Sequence, residues 1–126
     1  KFKSPFTSRI IMSTSSELNV ESEVINSTLV IRPQGEIDLG KSPDLRKKMG
    51  EFISRSPENI AVDLSGVSYM DSSGVATLVE ALQQCRTASI QLTLCGMQDR
   101  VRSIFEIARL DMVFTITTTV EEALEN

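Results

Sequence analysis

Ile60-Ala61-Val62-Asp63-Leu64-Ser65-Gly66-Val67-Ser68-Tyr69-Met70-Asp71-Ser72-Ser73-Gly74 is the stretch on which the reading of this chain turns. It opens as a short apolar strand, Ile60 to Leu64, and turns at Ser65-Gly66. It then runs through Val67-Ser68-Tyr69-Met70 to three capping-type residues and a glycine. A helix follows, because Val75, Leu78, Val79, Leu82 and Cys85 recur on one stripe. At its start, Asp71 or Ser72 is suited to accept from the first free helix N–H groups, and Gly74 lets the turn tighten.

Working outward, the same alternation of strand and helix continues on both sides. Upstream, Leu18, Val20 and Val24 interleave with polar residues, Asn26-Ser27 breaks the run, and Leu29-Val30-Ile31-Arg32 resumes it, so a hairpin opens the domain. Pro33-Gln34-Gly35 is expected to end the second strand, and Glu36-Ile37-Asp38 to lead into a loop. Ser42-Pro43-Asp44 reads as a capped helix start, with Leu45, Met49, Phe52 and Ile53 at helical spacing behind it. The basic run Arg46-Lys47-Lys48 between them reads as a solvated helix face.

Downstream, Ile90 to Cys95 alternates as a strand, and Gln98 or Asp99 starts a helix carrying Val101, Ile104, Phe105 and Ala108. Val113 to Ile116 is a last short strand, and Thr119 with Glu122 forms a capping box for a C-terminal helix. The order β-β-α-β-α-β-α-β-α predicts a single α/β domain with a mixed sheet of about five strands. Alternating strands imply one covered face, and the first three helices are expected to cover it.

Composition narrows the function. The chain has 126 residues, enough for one domain and one core. Histidine is absent, which removes the commonest general base, the Ser-His-Asp and Cys-His arrangements, and zinc sites that need imidazole. No base, GxSxG elbow, GxGxxG or P-loop accompanies Ser72, so intrinsic catalysis is not expected, nor is a cofactor or a metal. The formal charge of -4 argues against direct nucleic-acid binding, and no apolar run is long enough for membrane insertion. Cys85 and Cys95 form no CxxC and read as buried thiols, which fits a cytoplasmic protein.

Residues 1–11 carry Lys1, Lys3 and Arg9 and no acid, and Met12 then opens a natural-looking start. They read as an expression leader or a mis-assigned start, leaving 12–126 as the domain. Outside them, 10 basic residues face 17 acidic ones, a formal -7.

Hydroxyls at a helix start suggest a second role for the Asp71-Ser72-Ser73-Gly74 loop. Free N–H groups and the helix dipole favour negative charge there, so a phosphate on such a serine is tolerable, and it adds about -1.5 to -2 charges to the surface. Such a serine needs no catalytic apparatus of its own.

The chain resembles a STAS domain of the anti-sigma factor antagonist type. Gly35-Glu36-Ile37-Asp38 resembles the family's Gly-Glu-Leu-Asp loop, and Val62 to Gly74 its signature strand and phosphorylation loop. Val101 to Phe105 with Leu110-Asp111 resemble its third helix and the turn after it. Where many members continue with Gly-Leu-Gly, this chain has Gly74-Val75-Ala76.

The resemblance implies an α/β STAS domain that switches partners. Unphosphorylated, it binds an anti-sigma factor serine kinase and releases the sigma factor. The kinase phosphorylates it at Ser72 and it lets go; a PP2C-type phosphatase resets it. Ser73 is the rival acceptor, since adjacent hydroxyls are not ranked by spacing. Asp71, Ser73 and Gly74 shape the loop, Met70 and Val75 are expected as partner contacts, and Glu36 and Asp38 are expected near the motif. A monomer is the simplest expectation. The alternative is a non-phosphorylated STAS subunit of a lipid or anion transport complex, or of a stress-signalling complex.

Overall fold

Asn26 and Ser27 both take positive φ, 49° and 68°, and make the two-residue turn that starts the domain. Two successive left-handed residues give the turn whose twist matches paired strands. They join β1 (Asn19–Ile25) to β2 (Thr28–Ile37) in an antiparallel hairpin. The computed structural model describes residues 17–125, so the expectation for residues 1–11 lies outside the described residues.

The sheet has six strands in the order β1-β2-β3-β5-β6, with β4 also on β2. They are β3 (Asn59–Asp63), β4 (Val67–Met70), β5 (Gln91–Cys95) and β6 (Thr115–Thr117), all parallel to their neighbours, so the sheet is mixed as expected. The strand beyond the five expected is β4, and it exists because β2 does not stop at Gly35. Thr28–Ile31 pair with β3, and Gly35–Ile37 pair with β4. At the start of the second stretch Gly35 adopts φ 98° and donates its N–H to Gly66 O at 2.8 Å. Pro33 falls between the two paired stretches, where its missing N–H removes no rung on that side.

Side chains of a strand alternate between faces, and each face here has its own core. Leu29, Ile31, Ile60, Val62, Leu92 and Leu94 point to the main face. Over it lie α1 (Ser42–Ser54), α2 (Ser72–Thr87) and α3 (Asp99–Ile107), which bury the expected stripes, among them Leu45 and Met49, Leu78 and Leu82, and Val101 and Phe105. Each fully buried aliphatic or aromatic side chain contributes roughly 1.5–3 kcal/mol, so this face dominates the stability. Phe105 meets Phe114 edge-on at 5.6 Å, which ties the short 3-10 turn at Leu110–Met112 and β6 to α3. Arg46 of α1 reaches Glu80 of α2 at 2.7 Å, so part of the basic run bridges two helices.

The other face carries Val30, Ala61 and Cys95, covered by Ala123 of α4 (Val120–Glu125). The capping box forms in both directions: Glu122 N–H donates to Thr119 Oγ1 at 3.1 Å, and Thr118 N–H to Glu122 Oε1 at 2.8 Å. Beyond α4 this face is polar. Arg32 there pairs with Glu23 and, at 3.4 Å, with the buried Asp63.

The start of α1 corrects the expectation of a Ser42 cap. Ser42 is buried inside the first turn, and Lys41 at the cap position makes no side-chain cap bond. Asp38 does the work instead: its Oδ1 accepts from Gly40 N–H at 3.0 Å and Lys41 N–H at 3.2 Å, and its carbonyl accepts from Ser42 N–H at 2.8 Å. Asp44 takes Leu18 N–H at 2.8 Å and Lys48 Nζ, so it anchors the start of the chain's first strand.

Candidate functional site

Parallel strands deliver their C-terminal ends to one edge of the sheet, and β2 and β4 end there side by side. Asp71 follows β4 directly. Its N–H donates to Ile37 O at 3.2 Å, and extended backbone (φ -99°, ψ -173°) places it as the cap of α2. Oδ1 accepts from Ser73 N–H at 2.9 Å, Gly74 N–H at 3.3 Å and the Ser73 hydroxyl at 2.5 Å. Oδ2 accepts from Leu39 N–H at 3.1 Å. The Ser73 hydroxyl, more than any other group, holds the Asp71 carboxyl below the usual carboxylate range; the three backbone N–H groups add to this and partial desolvation opposes it.

The two serines of the motif are not equivalent. Ser73 is half-buried and its hydroxyl is committed to Asp71. Ser72, the first residue of α2, is exposed, and among the described residues its hydroxyl makes no hydrogen bond. Gly74 is buried because α2 starts against the strand ends: a β-carbon there would lie 2.6 Å from Met70 Cγ and 2.9 Å from Ile37 Cγ2.

Met70 and Val75 are not surface contacts. Met70 is fully buried and Val75 is 8% exposed, because both side chains turn into the main core beneath the start of α2. The exposed residues nearby are others. Glu36 is exposed and lies opposite Tyr69 across β2 and β4; Asp38 is half-buried and spends its carboxylate on the loop that starts α1. Leu39, 73% exposed, is the residue that sequence reasoning missed. Its signal was a lone leucine between Asp38 and Gly40 in an otherwise polar loop.

Among the described residues no group of acidic, histidine or cysteine side chains gathers to hold a metal ion, and no helix is long and apolar enough to cross a membrane. Cys85 and Cys95 are buried, and burial pushes their thiols up to about 11 and about 12, which keeps them unreactive. What the arrangement presents is a free hydroxyl on a rigid helix start.

The family model of the STAS domain matches residues 19–123. The chain belongs to the STAS domain family. Within it, the chain is 30% identical over 93 residues to the anti-sigma-B factor antagonist of Staphylococcus aureus, covering 74% of this chain and 86% of that protein. Among solved structures, it is similar to an anti-sigma factor antagonist from Mycobacterium paratuberculosis, with a TM-score of 0.80 at 23% identity over 87% of this chain and 93% of that one. It is also similar to the Bacillus cell fate determinant SpoIIAA in its phosphorylated form, with a TM-score of 0.64 at 26% identity over 86% of this chain and 96% of that one. In this STAS domain, then, the signature loop is the capped start of α2, tied back to the end of β2 through Asp71.

Proposed function

We propose that this STAS domain is an anti-sigma factor antagonist that works by partner switching. Unphosphorylated, it binds an anti-sigma factor serine kinase in the cytoplasm and frees the sigma factor. Phosphorylation at Ser72 ends that complex, and a PP2C-type phosphatase restores it. The domain itself catalyses nothing. The observation that carries this reading is the contrast at α2: an exposed, unengaged Ser72 hydroxyl beside a Ser73 hydroxyl already given to Asp71. The curated relative's name and the phosphorylated form of the Bacillus determinant support the same reading.

The geometry also supports a release mechanism. A helix start ordinarily welcomes a phosphate through its free N–H groups. Here two of those groups, on Ser73 and Gly74, already serve the Asp71 carboxylate. A phosphate on Ser72 therefore keeps its charge facing outward, next to an ionised carboxylate. An interface that covers the loop strips water from both charges, so their mutual repulsion and the cost of burying the added phosphate rise on binding by about 3 kcal/mol, roughly a hundredfold in affinity. That is enough to dissolve a complex whose interface covers the loop, without any rearrangement of the domain.

Binding measurements with the host's anti-sigma factor serine kinase test this. Ser72→Ala is expected to bind as wild type does and to stay bound in the presence of ATP. Ser72→Asp is expected to bind at least about tenfold more weakly. Equal binding by Ser72→Asp and wild type contradicts the switch and fits a constitutively bound subunit.

A further inference from the structure

Ser73, the rival acceptor on sequence grounds, has a different assignment in the structure. We propose that Ser73 is a positioning residue for phosphorylation of Ser72: its hydroxyl fixes the Asp71 carboxylate so that the second oxygen holds the loop carrying Asp38 and Leu39 against the start of α2. The inference rests on the partner-switching reading given above and assigns a role within it.

A carboxylate is planar, so the direction of one oxygen sets the direction of the other. Oδ1 of Asp71 has three donors, and the Ser73 hydroxyl at 2.5 Å is the shortest; the Gly74 N–H, at 3.3 Å, is weak. Together they leave Oδ2 aimed at Leu39 N–H, 3.1 Å away. Leu39 N–H has no other acceptor among the described residues. Remove the Ser73 hydroxyl, and Asp71 keeps one good backbone donor and gains freedom to rotate. The cap survives, since Ser73 N–H still donates at 2.9 Å.

The consequence falls on the loop and not on the fold. Asp38 closes its own turn through Gly40 and Lys41, so residues 38–41 keep their shape. What they lose is their registration against α2. Leu39 projects from this loop with 73% exposure, beside the acceptor helix start, where a docking kinase meets it. A loop that is already in place costs a partner no ordering on binding, and a loosened one does. Ser73 thus acts on recognition, through Asp71 and Leu39, while the phosphate goes to Ser72.

The test compares wild type, Ser73→Ala and Ser73→Thr by amide hydrogen exchange and by phosphorylation with the host's anti-sigma factor serine kinase and ATP. In Ser73→Ala, exchange at the Leu39 amide is expected to rise about tenfold while core amides of β3 and β5 are unchanged. KM for the protein is expected to rise about threefold or more with kcat within about twofold. Ser73→Thr, which keeps the hydroxyl, is expected to restore both, and fragment-ion mass spectrometry is expected to find the phosphate on Ser72 in all three. Unchanged exchange at Leu39, or an unchanged KM, in Ser73→Ala overturns the role of Ser73 while leaving the switch intact. A wild-type chain that accepts no phosphate overturns the switch reading, and the role of Ser73 with it.

Discussion

Gly74 lies against Ile37 so closely that a β-carbon on it would stand 2.9 Å from Ile37 Cγ2 and 3.2 Å from Ile37 O. The helix start that carries Ser72 is therefore set directly on the end of β2, with no room for a side chain between them. Alanine at an ordinary helical position would gain about 1 kcal/mol over glycine. Here the clash with the buried side chains of Met70 and Ile37 outweighs that gain, since overpacking of this kind costs about 1–3 kcal/mol. Gly74→Ala is expected to lower the urea midpoint by the equivalent of up to about 2 kcal/mol. A variant as stable as wild type, or more so, contradicts the close approach.

Asp71 makes a pH-dependent contribution whose sign follows from its hydrogen bonds. Folding favours its ionised form, so its folded pKa lies below its unfolded value, about 3.9 for a free aspartate. The stabilisation is then fully present above that unfolded value and is lost as pH falls through the folded one. Asn is as good a cap as Asp, so Asp71→Asn removes the charge and keeps the cap. The stability difference between wild type and Asp71→Asn is expected to be level from about pH 5 to 7 and to shrink below about pH 4. Denaturation curves across that range check it; a difference that grows on acidification contradicts it.

The far end of α2 offers a stabilising change. Ser89 has φ 61°, and Ile90 N–H closes back on Cys85 O at 2.8 Å, the left-handed helix ending that glycine fills best. Glycine relieves about 1–2 kcal/mol of left-handed strain and costs about 0.5–1 kcal/mol of unfolded-state entropy. Ser89→Gly is expected to raise stability by about 0.5–1 kcal/mol, read as a higher thermal midpoint, with partner binding unchanged because Ser72 lies at the opposite end of the helix. A lower midpoint contradicts this account.

Several parts of this structure were legible because local pattern and global fold agree. Leu45, Met49, Phe52 and Ile53 sit at helical spacing and are all buried, and Thr119 and Glu122 cap each other as their spacing requires. The missed parts depend on residues distant in sequence. β4 has four residues and is a strand only because Gly35 and Gly66 let β2 bend across to it. Ser42 looks like a cap, but the helix starts one residue earlier than that: Asp38 accepts from the Gly40, Lys41 and Ser42 N–H groups, and the Lys41 carbonyl takes those of Asp44 and Leu45. Met70 and Val75 flank the motif and look presented, yet the helix start points them into the core. Ser72 and Ser73 are indistinguishable as neighbours in sequence, and only the placement of the Asp71 carboxylate separates them.

The central claim is that Ser72, and not Ser73, carries a regulatory phosphate. Fragment-ion mass spectrometry of the protein purified from its native host, with the sigma factor held inactive and then released, tests this directly. The account predicts one phosphate, on Ser72, abundant when the sigma factor is held and depleted when it is free. A phosphate on Ser73, or none in either condition, would contradict it.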